Sequence, residues 1–355
     1  MAVLPKTVKK IAVLDRTKEP GALGEPLYLD IRTAIGEAMA DGLASFDKYP
    51  VIVGGRYGLG SKEFTPAMVK AVFDSLNAAK PKRGFTVGIN DDVTHTSLPV
   101  DESFQIPAEG MYRAMFYGLG SDGTVGANRN SIKIIGELTD NYAQAYFVYD
   151  SRKAGTMTVS HLRFGKKPIQ RPYLVNQADF VACHNPSFLE KYDMLSSARK
   201  GGTFLLTSFH GPDQVWDTLP QEVQKQIIDK KLKFYVIDAI SLAQELGLGA
   251  RINVIMQTAF FKISNIVPLD KAVAAIKDAV RKTYGKRGEK VIQMNNAAVD
   301  QAVSRVYEVK VPAQVTSKTK MPPVVPAHAP EFVQTVTAEL MAMRGDALPV
   351  SKFPV

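Results

Sequence analysis

The residues best equipped by type and spacing to do chemistry are Tyr117-Gly-Leu-Gly-Ser-Asp-Gly-Thr-Val-Gly-Ala-Asn128. Gly118, Gly120, Gly123 and Gly126 are interleaved with Ser121, Asp122 and Thr124; an apolar run, Met115 to Tyr117, leads in and a helical pattern leads out. Glycines let a backbone turn its N–H groups toward a ligand, and the helix N-terminus behind them carries partial positive charge. The chemistry this points to is anion holding, of a phosphate or a pyrophosphate. The competing reading is plain: a strand-to-helix reversal also calls for glycines, and one glycine pattern is a weak signal.

Other candidates are weaker. Cys183 and His184 stand side by side at the end of an apolar run, as a nucleophile and a base would. Neighbours on a strand point to opposite faces, so a packed structural thiol is the better reading of Cys183. His161 and Arg163 alternate on one face of a predicted strand, either as an anion clamp or interdomain ion pair or as a surface pair at a sheet edge. His95 and His210 lie in polar loops, where a general base could sit. Asp15, Arg16, Lys18 and Glu19 follow the carboxyl end of a predicted strand, the usual place for α/β sites.

The elements that must position these groups alternate. Lys10 to Leu14 reads as a strand, Leu27 to Leu43 as a helix, and Val51 to Val53 as a second strand. Thr65-Pro66 opens another helix, with Thr65 as N-cap, and Gly84 to Ile89 is a third strand. That βαβαβ order implies a parallel sheet covered by helices. Residues 91–107 read as an interdomain connection. A second α/β region follows, with strands over 143–149, 157–164, 180–184, 202–206 and 234–237. Helices are predicted over 240–246, 252–266, 269–284 and 288–306. The helix over 253–266 is apolar nearly all round, so it is expected inside the protein or at a subunit contact. Past residue 311 a Pro-rich stretch precedes an amphipathic helix over 331–343.

Composition bounds the function classes. At 355 residues with 45% apolar content, the chain can build two domains with real cores. It lacks an apolar run of about 18 residues, so no membrane span is expected. Its N-terminus lacks the apolar core of a secretion signal, which makes the cytoplasm the expected location. The single cysteine forms no disulfide within the chain and cannot hold zinc or an iron–sulfur cluster. A net charge of +9 favours anionic partners, but the basic pairs are scattered and not interleaved with aromatics. No nucleic-acid partner is expected.

Several segments together resemble one family. Ile11-Ala-Val-Leu-Asp-Arg-Thr-Lys-Glu-Pro-Gly21, Gly24-Glu-Pro-Leu-Tyr28, the Gly118–Asn128 loop, Ser160-His-Leu-Arg-Phe-Gly165 and Leu348-Pro-Val-Ser-Lys-Phe-Pro-Val355 are similar to pyruvate:ferredoxin (flavodoxin) oxidoreductase, over essentially the whole chain. The resemblance implies an α/β fold: a truncated transketolase-C-terminal-like parallel three-layer sheet domain over 1–108, a second α/β gamma-type domain over 109–312, and an extended C-terminal Pro-rich linker and tail over 313–355. It implies an internal portion of an enzyme that makes acetyl-CoA, CO2 and reduced carrier. The whole enzyme would use thiamine diphosphate, Mg2+ and [4Fe-4S] clusters, none of them held by this chain, which alone is expected to be inactive. This portion would bind coenzyme A and act as scaffold, or serve as a dimerisation module through the 253–266 helix. Its partners would be the remaining domains or subunits, ferredoxin or flavodoxin, and a second copy in a homodimer. No catalytic residue and no metal ligand is expected here. The coenzyme A phosphates would be held by Gly118, Gly120, Ser121, Asp122, Gly123, Thr124, Gly126 and Asn128, with Lys153 and Arg152 beside them. Lys153-Ala-Gly155 departs from the Lys-Lys or Lys-Ser that members often carry before a Gly pair.

Overall fold

The structure is a computed structural model that describes residues 4–149 and 155–353. Two units are present: Met1–Pro107 together with Val324–Val355, and Ala108–Pro323.

In the first unit, β1 (Lys10–Asp15), α1 (Pro26–Ala40), β2 (Val51–Arg56), α2 (Pro66–Asn77) and β3 (Phe85–Thr86) follow in order. The sheet runs β1-β2-β3, all parallel, as the alternation of strand and helix requires. The Thr65 hydroxyl accepts from Met68 N at 3.3 Å and caps α2. Two glycines in β2 are there for room. A Cβ on Gly54 would lie 2.8 Å from the Tyr28 ring, and one on Gly55 would run into the Phe85 ring.

The strand expected over 84–89 shrinks to Phe85–Thr86. Beyond it Thr86 pairs with the chain at residues 96–98, where Thr86 N donates to Thr96 O and Leu98 N to Thr86 O. Residues 91–97, expected as a loose connection, wrap the Asp91 carboxylate. It accepts from Val93 N, Thr94 N and Thr96 N and from the hydroxyls of Thr94 and Thr96. Those hydrogen bonds, the Thr94 hydroxyl foremost, hold Asp91 far below the usual carboxylate range. The tail docks on this loop: Val350 N donates to Asn90 O at 2.9 Å and Ser351 N to Asp92 Oδ1 at 2.9 Å. The helix expected over 331–343 is present, but it opens into wider turns at Val333–Thr337 before closing over Ala338–Met341.

The second unit contains β4 (Met111–Leu119), α3 (Thr124–Leu138), β5 (Tyr142–Tyr149), β6 (Met157–Gly165), β7 (Ala178–Cys183) and β8 (Ala198–Thr207). Next come α4 (Val215–Thr218), α5 (Gln221–Asp229), β9 (Lys233–Ile237), α6 (Ala239–Glu245), α7 (Asn253–Ser264), α8 (Leu269–Tyr284), α9 (Glu289–Ser304) and β10 (Tyr307–Glu308). The sheet order is β10-β9-β8-β7-β4-β6-β5. The central strands β9, β8, β7 and β4 are parallel; β6 runs antiparallel to both β4 and β5, and β10 antiparallel to β9.

Alternation along β4 divides the core in two. Ala114 and Phe116 face α3 and α6 to α9, while Met115 and Tyr117 face Trp216 of α4, Val223 and Ile227 of α5, and Phe188. The segment 315–321 is sewn to this second face, where Thr316 N and Ser317 N donate to the buried Gln224 Oε1 at 2.9 and 3.0 Å.

Helix α7 answers one open question. Val254 to Phe261 are all buried in the unit's own core, the first of the two places expected for this helix, while Asn253 and Lys262 to Ser264 are half-buried. The apolar ring over 254–261 is spent on the neighbouring helices and on Phe116, Phe164 and Phe180, which leaves it no part in dimerisation through 253–266.

Candidate functional site

Strand β4 hands its chain through α3 toward β5 and β6, whereas its parallel neighbour β7 hands on toward β8. The connections part at the carboxyl ends of β4 and β7, and such a switch point leaves a crevice where α/β ligands bind. The Gly-rich loop ends β4 there. His184 ends β7 there.

The loop is tightly built. Gly120 N donates to Thr156 O at 2.7 Å, and Gly155 N to Gly120 O at 3.3 Å. Ser121 and Gly123 both take left-handed backbone conformations, φ +79° and +92°, which turn the chain into α3. The N-cap residue, Gly123, has no side chain to cap α3. Instead the Asp122 carboxylate gathers the turn: Oδ2 accepts from Leu119 N at 2.8 Å, Oδ1 from Thr124 N at 2.7 Å, and Oδ2 again from the Thr124 hydroxyl at 2.9 Å. The N–H groups of Val125 and Gly126, the next two in the helix, have no partner among the described residues. Gly126 is exposed, and a Cβ placed on it would meet nothing beyond its own helix within 4 Å among the described residues. Two open amides at a helix N-terminus are what an anion needs.

Behind the loop stands a buried polar line. The Thr124 hydroxyl lies 2.8 Å from His184 Nδ1, both side chains being almost without solvent contact. Burial pushes the His184 imidazole down to about 4, with the nearby Asp122 charge working the other way, so the ring is neutral near pH 7. His184 Nε2, Asn128 Nδ2 and Ser160 Oγ are buried without a hydrogen-bond partner among the described residues.

The structure thus brings together Gly118, Gly120, Ser121, Asp122, Gly123, Thr124 and Gly126 around one turn. Asn128 belongs to the same helix but is buried, away from the exposed end. Arg152 and Lys153 lie outside the described residues. The local sequence marks His184 only as a candidate base for Cys183. Cys183 is fully buried on the opposite face, its thiol pushed up to about 12 by desolvation. The one signal for His184 was its place at the end of the strand beside β4, and that adjacency is not a sequence property.

Other candidates resolve differently. His161 and Arg163 are not a surface pair at an edge, since β6 lies between β4 and β5 and both residues are buried. Nor is Arg163 poised as an anion clamp. Its guanidinium covers the Tyr173 ring at 4.9 Å and donates to Gln144 Oε1 at 3.1 Å. His161 Nδ1 accepts from Val175 N at 3.2 Å, and burial first, then Arg163, pushes its imidazole down to about 4. Asp15 serves its own unit, accepting from Leu27 N and Tyr28 N at the start of α1, and Arg16 Nε donates to Gly58 O at 3.0 Å. His95 and His210 are exposed in their loops. No group of three or more His, Cys, Asp or Glu side chains fit to hold a metal occurs among the described residues. No described helix is long and apolar enough to cross a membrane.

Comparison with known proteins gives a consistent set of likenesses. The family model for pyruvate ferredoxin/flavodoxin oxidoreductase matches residues 113–305, and one for a domain of unknown function, EKR, matches residues 318–355. The chain is 56% identical to a pyruvate:ferredoxin oxidoreductase of Moorella thermoacetica, over 99% of this chain and 30% of that protein. It is also 56% identical to a pyruvate-flavodoxin oxidoreductase of Rhodospirillum rubrum, over 100% of this chain and 30% of the relative. Among solved structures, a pyruvate oxidoreductase subunit of Thermotoga maritima is similar at 19% identity and a TM-score of 0.46, over 57% of this chain and 100% of that one. The chain spans about 30% of the length of the curated relatives it matches.

Proposed function

The chain belongs to the pyruvate ferredoxin/flavodoxin oxidoreductase family, and from that premise we propose that it is the coenzyme A-holding and scaffold portion of a cytoplasmic 2-oxoacid oxidoreductase. The whole protein would decarboxylate pyruvate on thiamine diphosphate, pass electrons through iron–sulfur clusters to ferredoxin or flavodoxin, and deliver the acetyl group to coenzyme A. The residues described here do not fit the first two groups. No group of acidic side chains fit for Mg2+ occurs among the described residues, and the buried Cys183 thiol donates a hydrogen bond to Asn185 O. In this proposal the redox and carbanion chemistry would belong to the remaining parts of the protein.

Coenzyme A is a different matter, and one observation carries the reading: the amides of Val125 and Gly126, without a partner among the described residues, at the exposed start of α3 beside the β4/β7 switch point. A phosphate there would receive two backbone hydrogen bonds and the helix dipole. Arg152 and Lys153 follow β5 in sequence and would add flexible or forked positive charge. A homodimer remains part of the proposal, on a surface other than the buried 254–261 ring.

Calorimetric titration of the chain with coenzyme A, and separately with pantetheine, which lacks the phosphates, tests it. Binding of coenzyme A that weakens on replacing Lys153 supports the reading. Pantetheine binding as tight as coenzyme A, or no binding of either, overturns the assignment of this loop.

A further inference from the structure

The Asp122 carboxylate presents a difficulty to any anion held by α3, because it lies in the same turn and carries the same charge. Free to swing, it would compete for the Val125 and Gly126 amides and repel an incoming phosphate. Something must keep it folded back. Two of its three hydrogen bonds come from backbone groups, and the third comes from the Thr124 hydroxyl.

That hydroxyl has one proton. Donated to the carboxylate, it leaves the oxygen only to accept from its other neighbour, His184 Nδ1 at 2.8 Å. His184 must then be the neutral Nδ1–H tautomer. The opposite tautomer would present a lone pair to Thr124 and compete with Asp122 for the single proton. The ring has little freedom to turn away. Its backbone N–H donates to Tyr117 O at 2.8 Å, tying the end of β7 to β4 just before the loop, and its ring meets the Phe116 ring edge-on at 6.1 Å.

On these grounds we infer that His184 is a positioning residue of the Gly-rich loop: through Nδ1–H and the Thr124 hydroxyl it holds the Asp122 carboxylate on the amides of Leu119 and Thr124, and so keeps those of Val125 and Gly126 open for an anion. This rests on the reading that the loop holds phosphate, and it adds a residue of β7 to a site otherwise made by β4 and α3.

The test compares His184→Asn with His184→Gln in the whole chain. An Asn amide nitrogen falls close to the Nδ1 position and can still donate to Thr124; a Gln amide reaches instead toward Nε2. Coenzyme A affinity should stay within about threefold of the parent in His184→Asn and fall about tenfold in His184→Gln, the worth of one hydrogen bond. Two readouts need no ligand. The 1H–15N spectrum of the parent should show His184 as the Nδ1–H tautomer, and amide exchange at Leu119 and Thr124 should quicken in His184→Gln only. An Nε2–H tautomer, or equal exchange in the two variants, overturns the inference. If both variants misfold, the tautomer of the parent decides. Should the parent fail to bind coenzyme A while tautomer and exchange follow expectation, the ligand assignment fails and the role of His184 stands.

Discussion

Replacing Gly126 by Ala separates stability from binding at the loop. Gly126 lies in the first turn of α3 and is exposed, and among the described residues nothing beyond its own helix comes within 4 Å of the place a Cβ would take. Its backbone is helical, so alanine enters without strain and narrows the unfolded ensemble. The gain is about 0.5–1 kcal/mol, or roughly 1–4 °C in melting temperature for a unit of this size. The same methyl tilts toward the helix N-terminus, into the space an anion on the Val125 and Gly126 amides would fill. Lengthening those contacts should cost about 1.4 kcal/mol, a tenfold weaker Kd for coenzyme A. Calorimetric unfolding and titration on the same sample read both quantities. A variant that is more stable and binds coenzyme A unchanged would refute the placement of the anion; a variant less stable than the parent would refute the reading of Gly126 as open space.

Three further outcomes follow from the packing. Gly118→Ala should destabilise by about 1–3 kcal/mol in denaturant unfolding, because its Cβ would lie 2.5 Å from the Thr124 hydroxyl, which is held by both Asp122 and His184. Acid should weaken the fold well above the carboxylate range. His161 and His184, both pushed down mainly by burial to about 4 from 6.5, are neutral when folded and take up protons on unfolding. Their contribution is complete above pH 6.5 and is lost as pH falls toward 4, on the order of 2–3 kcal/mol each. Unfolding measured across that range should show the slope, and His161→Gln should flatten it. Gln224→Ala should release the 315–321 segment, since it removes the one oxygen that accepts from both Thr316 N and Ser317 N together with a donor to Trp216 O. About 2 kcal/mol is expected, and limited trypsin digestion should then cut faster at Lys318 and Lys320.

The elements themselves were legible because their signals are local. The helical period over 269–284, the Thr65-Pro66 start of α2 and the alternating run of β6 each report on the few residues around them, and each appears where expected. The Gly-rich turn was legible for the same reason, since only glycine enters so tight a strand-to-helix reversal at low cost. Where local signals misled, a distant partner had intervened. β3 ended early because Thr86 found residues 96–98, and Arg163 was buried because Tyr173 and Gln144 covered it.

The sequence by itself determined the family, the strand–glycine–helix unit and the inability of one cysteine to carry a cluster. Tertiary structure alone decided that α7 is core, that Asp122 is folded into its own loop, and that His184 stands behind Thr124. Those two residues are 60 positions apart in the chain. They meet because β4 and β7 pair in parallel with Tyr117 opposite Cys183, and a one-residue slip in that register would turn the imidazole to the other face.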